Sequence, residues 1–233
     1  MSPKKAKPPK SGGKSATGGV TQYYDAAARE YDAWFEGDGS LVFDTEVQAL
    51  EALLPELPRS WLEVGIGSGR FALALGIDTG LDPSRGMSDI AKERGLKVIL
   101  AKGEKLPFAD ASFGTVFLLF TLCFVESVGD VLKEACRVIQ PGGRVVVGEV
   151  LKDSPYGRYY RDNKDNHPWY QFSNFCHYED LESRLKETGF SVGKVLSTLF
   201  QKPREVFTRE EPREGYDRDA GFTVIVGEKK TAK

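Results

Sequence analysis

Histidine and cysteine are both scarce: the 233 residues hold 2 histidines and 3 cysteines. Cys123, Cys136 and Cys176 are far apart, odd in number and show no C-x-x-C or metal-ligand spacing,. That excludes a disulfide framework and a structural zinc cluster, and it fits a reduced, cytoplasmic chain. No metal site is expected. Long apolar runs are also missing. No window approaches the roughly 20 residues of a membrane-spanning helix. The first residues have neither the apolar core of a secretory signal nor the Arg-rich amphipathic pattern of a transit peptide. Acidic residues are absent from the start of the chain, where Lys4, Lys5, Lys7, Lys10 and Lys14 stand among Pro, Gly and Ser. Residues 1–19 have no hydrophobic periodicity and should be disordered, either as a solubilising tail or as a weak electrostatic arm for nucleic acid. The formal net charge is −2, and setting those five lysines aside takes it to −7. The rest of the chain is therefore acidic, which argues against a broad phosphate-binding face and a nucleic-acid partner.

What is abundant is glycine at one place. Residues 61–72 read W-L-E-V-G-I-G-S-G-R-F-A. A short apolar run breaks into Gly65, Gly67 and Gly69 and resumes as a helical pattern after Arg70. Strand, glycine turn and helix are the layout of a nucleotide-binding loop. Glycines let the backbone turn tightly and lie against a ligand, and the following helix start offers unpaired N–H groups. The same arrangement also occurs in plain strand-to-helix connections. The dinucleotide fingerprint G-x-G-x-x-G would need its third glycine at position 70, which is Arg70,.

With Glu63 two residues before the first glycine, the stretch resembles the first motif, acid-x-G-x-G-x-G, of the class I S-adenosylmethionine-dependent methyltransferases. The resemblance implies that Glu63 lies near the cofactor's amino acid end and that the glycines pass under its sugar and methionine. Asp82, seventeen residues past Gly65 and followed by Pro83, falls where that family places its ribose-binding acid. It is also a plain helix-start signal. Residues 103–108, G-E-K-L-P-F, and 110–113, D-A-S-F, resemble the type 11, UbiE-like pattern D-A-E-x-L-P-F…D-x-S-F-D. Two departures stand out. The adenine-holding acid falls on Lys102, which cannot accept that bond, so adenine contact would rest on the Gly103 backbone or on Glu104. The second Asp falls on Gly114. The helix over 131–140, the turn Pro141-Gly142-Gly143 and the strand over 144–150 are also similar to the family. The resemblance covers roughly residues 46–229.

The remaining elements follow from periodicity. Residues 21–35 predict a helix with Thr21 near its cap, and Tyr24, Ala28, Tyr31 and Phe35 share one face. That face reads as core packing or as a lid over the active site, and one face can do both. Residues 41–54 predict a second helix, closed by Pro55 and Pro58. Strands are predicted over 77–81, 97–101, 115–125, 192–200 and 222–226, with helices over 84–94 and 178–188. Thr121 falls near the tip of the most apolar strand, where ligands bind in open α/β sheets. Residues 152–177 depart from any regular pattern and are rich in aromatics. They read as a substrate-side insertion or as a loop with its own small core.

The expected fold is α/β: a Rossmann-like, mostly parallel sheet with helices on both faces. The resemblance sets its strands at seven, the last antiparallel. The expected organisation is a tail (1–19) and one methyltransferase domain (20–233), with a helical lid (20–58) and the insertion (152–177). The expected function is methyl transfer from S-adenosylmethionine to a small-molecule acceptor. A non-catalytic S-adenosylmethionine-binding protein and an NAD-dependent oxidoreductase are the alternatives, the latter disfavoured by Arg70. Cofactor-binding candidates are Glu63, Gly65, Gly67, Gly69, Asp82, Gly103, Glu104 and Thr121. Tyr24 and His167 are the candidates for orienting the acceptor or taking its proton.

Overall fold

The computed structural model describes residues 16–164, 167 and 169–231. Helix α1 (Ala16–Trp34) is followed by α2 (Ser40–Glu51) and a short 3-10 turn (Leu54–Glu56). Strands and helices then alternate: β1 (Trp61–Val64), α3 (Arg70–Leu75), β2 (Thr79–Asp82), α4 (Arg85–Glu93), β3 (Lys97–Leu100), β4 (Phe113–Leu119), α5 (Val128–Val138) and β5 (Ile139–Glu149). After them come α6 (Pro155–Asp162), α7 (Tyr178–Glu187), β6 (Phe190–Thr198), β7 (Arg213–Glu214) and β8 (Phe222–Lys229).

All eight strands form one sheet in the order β3-β2-β1-β4-β5-β8-β6-β7. The first five pair in parallel. β8 runs antiparallel between β5 and β6. The expected seven strands are therefore present, and the eighth is the two-residue β7, which pairs with β6 from inside a charged loop. Such a short strand has no periodicity to betray it.

Alternation along the strands feeds two cores. Phe117 and Val146 point into one apolar cluster, while Val116, Leu118, Val145 and Val147 point into the other. Each of these side chains is fully buried, which is why the central strands read as near-continuous apolar runs. Helices α2 and α3 cover the first face through Val47, Leu50, Phe71 and Leu75. Helices α5 and α7 cover the second through Leu132, Ala135, Leu181 and Leu185.

Three boundaries differ from expectation by about five residues or more. Helix α1 begins at Ala16, not near Thr21; Gly18 and Gly19 disfavour a helix by only about 1 kcal/mol each and do not forbid it. Of the expected tail, residues 1–15 lie outside the described residues. β4 stops at Leu119, because Phe120 turns out of the strand with φ +52°. Past it, Leu122 and Cys123 are buried and Phe124 and Val125, half-buried, line a cavity, all of them outside the strand. β5 starts at Ile139, since Ile139 already pairs with Phe113, and Pro141-Gly142-Gly143 forms an irregularity within the strand before Arg144 meets Thr115.

The strand order reverses between β1 and β4, so the connections leaving their C-terminal ends diverge and open a crevice,. Gly69 starts α3 beside it, at φ +83°. A Cβ there would lie 2.4 Å from Leu96 Cδ1 and 3.1 Å from Ala91 Cβ. Gly69→Ala should lower unfolding stability by about 1–2 kcal/mol from the left-handed backbone alone. Urea denaturation measures this, and an unchanged midpoint would contradict the strain account.

Candidate active site

The crevice holds a cavity of about 1050 Å³, its solvent mouth included. Its walls come from five stretches: α1, the glycine loop, the β2 tip, residues 102–104 and residues 119–125. Glu63, Gly65, Gly67, Asp82, Gly103, Glu104, Thr121 and Tyr24 all line it. Gly69 and His167 do not.

The acids are the site's main electrostatic feature. Glu63 is 2 % exposed. One of its oxygens, Oε2, is buried without any hydrogen-bond partner. Burial, and then the nearby charge of Asp82, push its carboxyl well above the usual range, against a backbone hydrogen bond from Ala72. Asp82 is buried too, and burial lifts it to about 6 although its oxygens accept backbone N–H groups from Ser84 and Gly67. The Gly67 N–H lies 2.9 Å from Oδ2 and the Ser84 N–H 2.8 Å from Oδ1. These bonds fasten the glycine loop to the β2 tip and leave each oxygen a further lone pair.

The glycines divide the work. Gly67 has φ +54°, and a Cβ there would enter open space, so its bare backbone faces the cavity. A Cβ on Gly65 would strike Thr121 Oγ1 at 2.4 Å. That hydroxyl donates to the Val64 carbonyl at 2.8 Å, tying the tips of β1 and β4 together. Gly69, outside the cavity wall, instead gives room for α4. At Gly103 a Cβ would meet Val64 and Val131, so this glycine permits close packing at the cavity edge. Glu104 accepts the Glu126 N–H at 3.0 Å.

Helix α1 lines the cavity, and two of its acids fasten it. Asp25 accepts from Ser84 Oγ at 2.7 Å and from the Gly86 N–H at 3.0 Å, at the start of α4. Asp32 accepts from Arg70 at 2.8 Å and from Arg94 at 2.7 Å. Burial opposes the Asp32 charge, but the guanidinium bonds outweigh it and hold the carboxyl well below its usual range. Position 70, where a dinucleotide fingerprint needs glycine, is thus given to fastening this helix. Tyr24, Tyr31 and Phe35 line the cavity, and Ala28 on the same face packs on Met87 and Ile90. The stripe therefore both packs and faces the site. Asp25 and Asp32 escaped the sequence reading, although their i, i+7 spacing beside the aromatic stripe was a usable signal.

The expected acceptor groups fare unequally. The Tyr24 hydroxyl donates to the Trp169 carbonyl at 2.8 Å, and burial pushes it well above the ordinary tyrosine range. At neutral pH it is a protonated hydroxyl that donates to the insertion and walls the cavity. His167 packs against Tyr160 at 4.8 Å, and its Nδ1 faces the Trp169 and Tyr170 N–H groups at 3.3 and 3.4 Å. Burial and the charge of Arg204 lower it to about 4. Its polarity serves the loop's own backbone. No described residue of 152–177 lines the cavity. The insertion reaches the site through Tyr24, through Tyr31, which packs on Trp169 at 5.2 Å, and through Phe124, which stacks on Tyr170 at 6.2 Å.

Residues 62–147 match the family described as "Methyltransferase domain". A crystal structure from Thermotoga maritima, described as a SAM-dependent methyltransferase and possible histamine N-methyltransferase, superposes with a TM-score of 0.83 at 36% identity. The match covers 90% of this chain and 99% of that one. This chain belongs to the class I S-adenosylmethionine-dependent methyltransferases, type 11. An uncharacterised protein of Methanocaldococcus jannaschii is 37% identical over 206 residues, 88% of this chain and 98% of that one. A demethylmenaquinone methyltransferase of Staphylococcus aureus is 30% identical over 167 residues, 58% of this chain and 69% of that one. The protein is accordingly a methyltransferase of a family that uses S-adenosylmethionine. Among the described residues no helix is long and apolar enough to cross a membrane, and no group of His, Cys, Asp and Glu is arranged to hold a metal.

At the end of β5, Glu149 accepts the Leu122 N–H at 2.7 Å and so holds the turn that carries Thr121 and Phe124. Burial raises its carboxyl to about 8. Unfolding restores an ordinary glutamate near 4.3, so the folded state binds the extra proton between those values. Stability should therefore fall as pH rises from about 4.3 to about 8. In Glu149→Gln that part of the decline should vanish. Chemical unfolding of both proteins across this range checks it, and parallel curves would contradict it.

Proposed function

We propose that the chain binds S-adenosylmethionine in this cavity and methylates a small-molecule acceptor by direct displacement. The observation that carries the reading is the partnerless Glu63 oxygen in a glycine-lined cavity shared with Asp82. A buried carboxylate is strongly unfavourable unless a cation or donor meets it. Among the described residues, no lysine or arginine is among the groups acting on the Glu63 carboxyl. The cofactor's α-ammonium is such a cation, and its ribose hydroxyls are donors suited to Asp82. Gly67 offers bare backbone to the ligand, and Gly103 and Glu104 border the place for adenine.

When bound, the cofactor supplies a methyl already activated on a sulfonium. The protein's part is alignment and exclusion of water, and alignment alone can supply several kcal/mol, up to about 10. Helix α1 acts as the lid in this reading. Tyr24, Tyr31 and Phe124 shut water out, and the Tyr24–Trp169 hydrogen bond latches the lid to the insertion. The acceptor would supply the attacking lone pair, the cofactor's sulfur would keep the pair of the broken carbon–sulfur bond, and any acceptor proton would leave to solvent. Neither Tyr24 nor His167 is assigned as its base. The acidic balance of the chain favours a small acceptor over nucleic acid, and few, unpaired cysteines favour the cytoplasm.

Glu63→Gln should leave the ligand-free protein as stable as before, or more so, because a buried unpaired acid is removed. Its affinity for S-adenosylhomocysteine should fall by about 1.5–3 kcal/mol, the range for a charged hydrogen bond. Asp82→Ala should lose a similar amount. Calorimetry on the folded variants decides, and wild-type affinity in both would sink the assignment.

A further inference from the structure

The cavity has more wall than the cofactor uses. Glu63, Asp82, the glycine loop, Gly103 and Glu104 serve that ligand. Four rings are left over, Tyr31, Phe35, Phe71 and Phe120, and all four line the same cavity. They touch in succession: Tyr31 meets Phe35 at 5.2 Å, Phe35 meets Phe71 at 6.4 Å, and Phe71 meets Phe120 at 5.7 Å. Phe120 takes its place through a left-handed backbone, φ +52°. Bulky residues rarely adopt that conformation, and such backbones gather at ligand sites.

These rings stand beside the cofactor's methionine end. Phe120 adjoins Thr121, whose hydroxyl bonds the carbonyl of Val64, the residue after Glu63. Phe71 lies in the first turn of α3, directly after the glycine loop. Glu63 is the anchor for the cofactor's ammonium, so the activated methyl falls near this ring-lined end. The cavity's charges are already in use. Among the described lining residues, Glu63, Asp82 and Glu104 belong to the cofactor's part of the wall. Lys102 is held by Glu126 at 3.1 Å, and Arg70 by Asp32 at 2.8 Å and Glu36 at 2.6 Å. No charge remains to match a charged acceptor. One polar group does remain. The Tyr31 hydroxyl bonds no described residue, and it is not among the buried oxygens left without a partner, so it opens to space.

We propose that Tyr31, Phe35, Phe71 and Phe120 form the acceptor subsite, and that the acceptor is an uncharged, flat aromatic molecule whose polar substituent bonds the Tyr31 hydroxyl. The proposal rests on the methyltransferase reading above. Aromatic walls favour another flat ring, stacked or edge-on, beyond the area it buries. A pocket of rings with one well-placed polar group orients a small ligand as well as holding it. Tyr31 is a positioning residue in this role, and Phe71 and Phe120 set the preference for a flat molecule.

The test is calorimetry on the full chain saturated with S-adenosylhomocysteine, with 2-naphthol as the probe. Decahydro-2-naphthol has the same carbon skeleton without flatness, and 2-naphthoate and 2-naphthylmethylammonium add charge of either sign. The phenol should bind saturably, several-fold tighter than each of the three, without displacing S-adenosylhomocysteine. Tyr31→Phe should weaken 2-naphthol several-fold and leave naphthalene unchanged. Phe71→Leu should shrink the preference for 2-naphthol over its saturated counterpart, which a purely structural role for the ring would not alter. If S-adenosylhomocysteine binds but 2-naphthol is not preferred, or only displaces it, the acceptor subsite is overturned and the methyltransferase reading stands. If S-adenosylhomocysteine fails to bind the wild-type chain, that reading falls and the subsite with it. Should Phe71→Leu not fold, the wild-type preferences and Tyr31→Phe decide, and equal affinity for 2-naphthol in wild type and Tyr31→Phe overturns the proposal.

Discussion

Two buried carboxylates facing one cavity, their charge disfavoured by burial, are the constraint around which this structure is arranged. Glu63 ends β1 and Asp82 ends β2, and the strand order places their tips side by side. Burial disfavours the charge of both, and the charge of Asp82 raises Glu63 further. The glycine loop exists between them because a chain with side chains at 65 and 69 would collide with Thr121, Leu96 and Ala91. Asp82 holds the loop's shape through the Gly67 N–H, so one acid is both part of the scaffold and part of the site. An arrangement that disfavours the empty state in this way is suited to a ligand carrying an ammonium and hydroxyl donors.

Ion pairs help to hold the mouth of the cavity. Asp32 sits between Arg70 and Arg94, with all three side chains largely shielded from water. This network joins α1 to the start of α3 and the end of α4. Asp25 makes the second fastening at the start of α4. Helix α1 is therefore fixed along its length relative to the sheet. At its face the Tyr24–Trp169 hydrogen bond and the ring contacts of Tyr31 on Trp169 and Tyr23 on Phe172 link it to the insertion, and these can break for exchange of ligands. Local opening of this kind needs far less free energy than global unfolding.

Much of this was legible in the sequence, and the reasons differ by region. The glycine loop, Glu63 and Asp82 could be read because strand, turn and helix signals lie within about twenty residues of one another. The parallel order followed from alternating elements. Less could be read where a residue's partner is distant in sequence. Thr121 was placed correctly at the β4 tip, but its bond to the Val64 carbonyl spans 57 residues and has no local pattern. His167 drew attention because histidine is rare here, yet rarity carries no position, and its ring serves the backbone beside it. Glu46 and Glu149 looked like ordinary charges in a helix and at a strand end. Only the assembled fold shows that both are buried.

The central claim is that the cavity's unpaired acid is matched by the ammonium of the cofactor. A crystal structure with S-adenosylhomocysteine tests it most directly. The account predicts the ligand's amine within hydrogen-bond distance of Glu63 Oε2 and its ribose hydroxyls on Asp82, under the rings of Tyr24 and Tyr31. A bound ligand whose amine lies elsewhere, with Glu63 still unpartnered, would contradict it.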